Sequence, residues 1–377
     1  MPERIPIYRP DLSGNEKAYV VDCIESSWIS SIGPYVDKFE RALESFTSIE
    51  HAISICNGTT ALHLALHCLD IGPGDEVIVP SFTYIASVNM IALTGATPVF
   101  ADCRARDWQI GPDDIAPLIT SRTKAIVPVH LYGAVCDMPA IMEIAGKHGL
   151  KVIEDCAECL GASRDNVHPG GFGDIGTFSF FGNKTVTTGE GGAVVTRDPA
   201  LATRMRKVKG QGQSFVRRYW HEELGFNYRM TNIAAAIGLA QLERLDDILA
   251  AKRRIAERYR TLLADAPVTF QRLDEGVVSS EWLVSCLLPR YCDRDRLMVD
   301  MAADGIETRP VFYGAHQMPM YAHLAHDHLR TTEDISARGI SLPSYPQLGD
   351  ADLARVVTAL TRALDRQSPN LLAHVAG

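Results

Sequence analysis

The chain has 377 residues, 46% hydrophobic and 22% charged, enough for one large core or two domains. Its formal charge of −9 and isoelectric point near 5.7 weigh against nucleic acid or an anionic membrane as the main partner, though a local basic pocket for a phosphorylated ligand is compatible with them. The start Met1-Pro2-Glu3-Arg4-Ile5-Pro6 lacks the pattern of a signal peptide, no apolar run approaches the ~20 residues of a membrane helix, and nine scattered cysteines point to reduced thiols, so a cytoplasmic address is expected.

In chain order, apolar β-branched runs alternate with helical segments, the pattern of a mainly parallel sheet covered by helices. Ala61 to Leu69 carries helical spacing; Glu76 to Pro80, Thr97 to Phe100 and Ala125 to Val129 read as strands; Pro139 to His148 reads as a helix; Lys151 to Asp155 and Gly192 to Thr196 read as strands. Their near-continuous hydrophobicity predicts burial on both faces. A long helical stretch from about Asn232 to Leu263 sets Leu242, Leu245 and Leu249 on one stripe and links two domains. Beyond it, Leu283 to Pro289 reads as a strand, Asp293 to Ala303 as a helix and Asp350 to Leu364 as an Asp-capped terminal helix. The expected organisation is a large α/β domain over residues 1–250 and a smaller α+β domain over 251–377.

Four features converge on one chemistry. Lys184 stands where the aromatic run Thr177-Phe178-Ser179-Phe180-Phe181 meets the glycine-dense turn Gly189-Glu190-Gly191-Gly192. A lysine at such an edge can be presented into a pocket and desolvated, which suits Schiff-base chemistry; taken alone, an exposed loop lysine is the commoner case. Asn57-Gly58-Thr59-Thr60 precedes a helix, so free amides and hydroxyls meet in a way that suits a phosphate, although for the motif in isolation plain capping by Thr59 or Thr60 is the favoured reading. Asp155 closes a strand at the carboxyl edge of the sheet, where a carboxylate can keep a pyridinium nitrogen protonated; taken alone, a helix cap or a surface ion pair is the commoner case. Tyr84, just after another strand, can stack on a flat ring. In this chain order the four describe a pyridoxal-phosphate (PLP) site of the aspartate-aminotransferase fold type, fold type I.

Longer runs carry a resemblance. Asn57 to Leu66, Gly72-Pro73-Gly74-Asp75-Glu76 to Pro80, Pro128-Val129-His130-Leu131-Tyr132-Gly133, the Lys184 segment and Gly225 to Asn232 are similar to the nucleotide-sugar aminotransferases of the DegT type, over nearly the whole chain. The resemblance implies Lys184 as the covalent anchor of PLP, Asp155 at the pyridine nitrogen, Tyr84 on the ring, and Gly58, Thr59 and Ser179 at the phosphate. It further implies Glu158 near the ring hydroxyl and Asn227 reaching the phosphate of a neighbouring subunit, hence a homodimer. Trp28, Ser30, Arg229, Tyr313 and His316 are the candidate sugar contacts. Tyr313-Gly314 departs from the family pattern, and Cys56 and Cys156 replace small or polar residues near the cofactor.

The implied reaction passes the amino group of L-glutamate through PLP and its pyridoxamine form (PMP) to a nucleotide-linked keto-sugar, with C-4 of GDP-4-keto-6-deoxy-D-mannose first among the acceptors. Amination of another nucleotide-linked keto-6-deoxysugar, at C-3 or C-4, is the alternative. A sugar 3-dehydratase of the same fold carries histidine where this chain has Lys184, and a non-enzymatic sensor is the remaining class. Other motifs are set aside. Cys156-Ala157-Glu158-Cys159 has no second cysteine pair to complete a zinc site. His63 and His67 lack the glutamate of a zinc-protease motif, and Gly171-Phe172-Gly173-Asp174-Ile175-Gly176 leads into a strand instead of opening a helix. Arg217-Arg218-Tyr219-Trp220 is too short for an RNA surface on an acidic chain.

Overall fold

Seven of the β-branched runs assemble into a single sheet in the computed structural model, which describes residues 4–326 and 328–368. Its strands are β1 His51–Ile55, β2 Glu76–Pro80, β3 Thr97–Ala101, β4 Thr123–Ile126 and β5 Lys151–Asp155, then, past the short outlying β6 Ser163–Arg164, β7 Ile175–Ser179 and β8 Gly192–Thr196. The order across the sheet is β1-β8-β7-β5-β4-β2-β3, and only β8 runs antiparallel to its neighbours. The helices in chain order are α1 Glu16–Glu25, α2 Pro34–Thr47, α3 Gly58–Cys68, α4 Ala86–Leu93, α5 Pro112–Ile115, α6 Met138–His148, α7 Pro199–Val208, α8 Asn232–Leu242, α9 Leu245–Leu262, α10 Arg294–Ala303, α11 Arg330–Arg338 and α12 Asp350–Gln367. None is long and apolar enough to cross a membrane among the described residues.

The pleat sends alternate side chains to opposite faces. Ile78 and Val152 join a core with α2, α6 and α8, whereas Val77, Val79 and Ile153 join another with α3, α4 and α7. Burial on both faces is why these strands read as continuous apolar runs. Strand β4 ends at Ile126, earlier than its apolar run suggests, although the Val127 amide still donates to the Ile78 carbonyl at 2.8 Å.

The C-terminal part builds an antiparallel sheet in the order β12-β13-β11-β9, from β9 Thr269–Phe270, β11 Val284–Leu287, β12 Arg309–Pro310 and β13 Gly339–Leu342. The short β10 Val277–Val278 pairs with β6 and ties the two parts together. Residue 250 falls inside α9, which serves both cores: Leu245 and Leu249 pack toward the large sheet, Ile255, Ala256 and Tyr259 toward the small one. The N-terminal segment also joins the small core through Ile5, whose amide donates to the Gly305 carbonyl at 2.9 Å.

Two expectations are corrected. The stretch Asn232 to Leu263 is two helices, broken at Glu243 and Arg244. Glu243 accepts hydrogen bonds from the Tyr19 hydroxyl and Asn15, and Arg244 binds Ser13 and Asp11, so the N-terminal strap claims both residues at the break. Asp350 is the first residue of α12 and not its cap; its carboxylate meets Arg254 at 3.5 Å and Arg258 at 3.8 Å.

Glu154, fully buried on β5, organises the loop behind the sheet. Its Oε1 accepts the amides of Phe172 (2.9 Å) and Gly173 (2.7 Å), and its Oε2 accepts that of Gly170 (2.9 Å). His130 Nε2 lies 3.1 Å from Oε2, while His130 Nδ1 accepts the Cys136 amide at 3.2 Å, so the ring donates to Glu154 from Nε2. Burial opposes the charge, but His130 and the amides outweigh it and hold the carboxyl below its ordinary 4.5. Glu154→Gln should therefore cost about 3 kcal/mol in urea unfolding at neutral pH, because its amide turns donors toward donors. A carboxyl with a depressed folded value stabilises fully above 4.5 and loses that contribution as the pH falls below it, so the gap between variant and parent should narrow in acid. A gap that stays constant into acid would remove this assignment.

Candidate active site

Strand β5 delivers Asp155 to the carboxyl edge of the parallel strands, where an open sheet leaves a crevice. The buried carboxylate accepts the Ser87 hydroxyl at Oδ2 (2.7 Å) and the Ala157 amide at Oδ1 (3.1 Å). Ser87 is in the first turn of α4, so this bond fixes Asp155 to the loop that presents Tyr84. Tyr84 is 58% exposed, its ring centroid 5.8 Å from that of Phe312.

The start of α3 lies beside β7. Asn57 is its cap, accepting the Thr60 amide at 2.9 Å, and the Thr60 hydroxyl is taken by the Asn57 carbonyl at 2.9 Å. Capping therefore falls to Asn57, and Thr59 is left exposed. Gly58 has to be glycine because a Cβ there would stand 2.6 Å from Ser179 Cβ. First-turn amides, which have no partner within their own helix, thus meet Ser179 in a geometry suited to an anion.

Lys184 sits in the loop between β7 and β8. Its Nζ is 3.5 Å from Glu158 Oε1 and 4.0 Å from the centroid of the Trp282 ring, and only 13% of its side chain is exposed. Two side chains from distant parts of the sequence fix its backbone: the Tyr8 hydroxyl donates to the Lys184 carbonyl at 2.5 Å, and Trp282 Nε1 to the Asn183 carbonyl at 2.8 Å. Asn183 Oδ1 is buried with no partner among the described residues. Glu158 Oε2 accepts the Tyr132 amide at 2.9 Å. Burial pushes the Glu158 carboxyl up to about 7; the Lys184 charge and the Tyr132 amide pull against that, and Asp155 adds to it.

The other candidates lie further out. Asn227 Oδ1 accepts Arg229 Nε and Nη2, both at 3.2 Å, and both residues are exposed. Their segment runs beside the lead-in to α3, where the Cys56 amide donates to the Tyr228 carbonyl at 2.8 Å. Trp28 and Ser30 are exposed and are tied to α8 by Asn232, which donates to the Trp28 carbonyl at 2.7 Å and the Ser30 carbonyl at 2.6 Å. His316 is buried, with Nδ1 2.6 Å from the Ser81 hydroxyl and Nε2 3.3 Å from Glu333. Tyr313 accepts Arg294 Nη2 at 3.1 Å and borders a cavity of about 820 Å³ on the small part of the molecule.

Sequence reading gave no role to Ser87, Tyr132, Tyr8 or Trp282. A serine one turn past Tyr84 was the only local signal; the other three act through long-range contacts. Of the cysteine pair, Cys156 and Cys159 lie with His130 so that one ligating atom from each falls within 4.8 Å of the others, all buried. Both nitrogens of His130 are already engaged by Cys136 and Glu154, and burial pushes both thiols up, away from the thiolate a metal requires.

The chain matches the DegT/DnrJ/EryC1/StrS aminotransferase family over residues 10–361. It is 49% identical over 356 residues to the GDP-perosamine synthase of Escherichia coli O157:H7, covering 94% of this chain and 97% of that one. It is 39% identical over 331 residues to the UDP-N-acetyl-3-dehydro-alpha-D-glucosamine 3-aminotransferase of Acidithiobacillus ferrooxidans, covering 86% and 88%. Among solved structures it superposes with a TM-score of 0.92 on Spr1654, a candidate sugar aminotransferase of Streptococcus pneumoniae in its PLP form, at 27% identity and over 97% and 100% of the two chains. The chain is thus an aminotransferase of fold type I and belongs to the DegT/DnrJ/EryC1/StrS family.

Proposed function

We propose that the protein transfers the amino group of L-glutamate, by way of PLP and PMP, to C-4 of GDP-4-keto-6-deoxy-D-mannose, giving GDP-perosamine. The observation that carries this reading is the 49% identity to a GDP-perosamine synthase along nearly the full length of both chains.

The residues present suit the cofactor. A mostly enclosed amine at Lys184, a carboxylate at Asp155 fixed by two donors, and helix amides at Gly58 and Thr59 beside Ser179 match the carbonyl, the pyridine nitrogen and the phosphate of PLP in turn. Tyr84 offers an exposed ring, and the orphaned Asn183 Oδ1 leaves an acceptor open to a donor. PLP supplies an electron sink that takes up and releases an amino group.

The chain's own residues then divide the work. Lys184 anchors the cofactor, and once freed its Nζ holds and moves the proton. Asp155, kept in place by Ser87 and Ala157, would pair with the pyridine nitrogen of bound PLP and favour its protonated form. Glu158 faces the same amine and, with its carboxyl near neutrality, exchanges charge with it. Asn227 and Arg229 are exposed, and large apolar side chains such as Trp28, Ile29, Ile32, Phe215, Val216 and Trp220 are exposed as well, which supports a homodimer in which each subunit completes the other's phosphate site.

C-3 amination is the second reading. It is favoured by the 39% identity to a 3-aminotransferase and by Tyr313-Gly314, which puts a phenol and its Arg294 partner where the family pattern differs.

Lys184→Ala should abolish both the visible absorbance of bound PLP and turnover; retention of both would refute the anchor. Product analysis with glutamate and a panel of GDP- and dTDP-keto-sugars should give GDP-perosamine from the GDP-4-keto-6-deoxymannose substrate. Amination of another panel member with none of that sugar would transfer the assignment. As the pH rises through about 7, Glu158 ionises and strengthens its hold on the Lys184 ammonium, so the parent's pH–rate profile should inflect there. Glu158→Gln should fold, keep an acceptor for the Tyr132 amide and lose that inflection; an inflection that persists assigns it to another group.

A further inference from the structure

Trp282 has no role in the reaction as described above, yet it is the aromatic ring in contact with the reacting amine. It is 3% exposed and forms part of a buried cluster with Phe82, Trp108, Tyr132 and Val311 that lies between the two sheets. Its ring is clamped from two directions. The Tyr132 and Phe312 rings lie 5.8 and 6.5 Å away, at interplanar angles of 32° and 23°. Its Nε1 donates to the Asn183 carbonyl at 2.8 Å, which joins the indole to the residue immediately before Lys184. The Lys184 Nζ lies over the ring, 4.0 Å from its centroid.

The main chain of Trp282 is held as firmly. Lys252, on α9 between its two cores, donates from Nζ to the Trp282 carbonyl at 3.0 Å and to the Ser344 carbonyl at 3.2 Å, and is 1% exposed. The same Nζ lies 5.2 Å from the centroid of Tyr8, whose hydroxyl holds the Lys184 carbonyl. Two paths therefore lead from Lys252 to the catalytic lysine, one through Trp282 and one through Tyr8.

We infer that the Trp282 indole face is the seat of the Lys184 ammonium whenever that amine is not covalently engaged, and that Lys252 is the positioning residue that fixes this seat. The inference rests on Lys184 being the reacting amine of the proposed aminotransferase. A freed amine that takes up a proton must keep it, in place and shielded from water, until it is delivered. Glu158 is the other partner, but a carboxyl near neutrality gives a varying charge, whereas the negative face of an indole does not titrate. A ring also offers no proton acceptor that could remove the proton from the ammonium.

The test reads Lys184 directly, by pH-dependent acylation of the full-length protein in its PMP form and after cofactor removal, with the modified lysine quantified by mass spectrometry. Trp282→Leu should raise the labelling rate at neutral pH about tenfold, since the ammonium loses a desolvated cation–π partner, and Trp282→Phe should stay within about threefold of the parent. Protein grown on mono-, di- and trifluorinated tryptophan keeps the shape of the site while weakening the ring's negative face, so it tests the idea even where Trp282→Leu does not fold. Labelling should climb in steps with fluorination, and Trp282 is the ring it reports on because Lys184 touches that one. Lys252→Met, which keeps the buried stem and releases the Trp282 carbonyl, should shift labelling the same way by a smaller factor.

A flat response to fluorination overturns the seat, and an unchanged Lys252→Met profile overturns the positioning role. Failure of the parent to hold PLP at Lys184 would sink the functional reading instead, and the absorbance of the parent separates that outcome from the other two.

Discussion

A lysine ammonium with little access to water is the constraint on which the rest of this site depends. The structure sets the Glu158 carboxyl 3.5 Å from the Lys184 Nζ and the centroid of the Trp282 ring 4.0 Å away. Neither partner is local: Glu158 comes from the turn after β5, and Trp282 from the segment leading into β11. Both must stay in register with a loop between β7 and β8, so the Lys184 and Asn183 carbonyls are each pinned by a side chain from elsewhere, Tyr8 and Trp282. The backbone of the reactive residue is thus held from two sides, which suits an amine that must be released and recaptured in one place.

Holding those side chains is the task of α9 and the N-terminal strap. The helix plants Leu245 and Leu249 in the large core and Ile255 and Tyr259 in the small one, with Lys252 between them. The strap crosses the same ground, with Ile5 in the small core, Ile7 in the aromatic cluster, Tyr8 at Lys184, and Asp11 and Ser13 at the break between α8 and α9. The break is held by this arrangement: Glu243 keeps helical backbone angles, Arg244 leaves them, and both side chains bond to the N-terminal segment.

What the sequence made legible divides along the same line. Asp155, Gly58 and Tyr84 stand at or just past strand ends and at a helix start, where local pattern shapes the backbone. Lys184 was read from its glycine-dense loop, although Tyr8 and Trp282 from elsewhere fix the backbone there. Strands β2, β5 and β8 were readable because burial on two faces leaves an unbroken apolar run. Strand β1, with its histidine and serine, carried a weaker pattern, and the long helix was read through its interruption because nothing local marks residues 243 and 244. Tyr132, Tyr8 and Trp282 could not be read at all, and Ser87 left only the faint signal of a serine one turn past Tyr84. Each acts across a separation that only folding closes, such as the 176 positions between Tyr8 and Lys184. The cap of α3 shows the limit at close range: Thr59 and Thr60 were the expected caps, and the backbone turn gives the role to Asn57, two residues before Thr59.

The two acids that end β5 show how the pleat assigns roles. Consecutive residues of a strand face opposite sides, so Glu154 and Asp155 diverge although they share a backbone. Glu154 meets three amides of the loop 170–173 and His130, and becomes a fixed charge that organises the back of the sheet. Asp155 meets Ser87 and Ala157 and keeps a carboxylate at the crevice. A slip of one residue in the β5–β7 pairing would exchange them, placing the structural acid in the crevice and the crevice acid among loop amides. Glu154 thus guards the site indirectly. Every bond it makes is specific to the register that leaves Asp155 facing the crevice, and the stability of the loop behind the sheet is in part what selects the geometry in front of it.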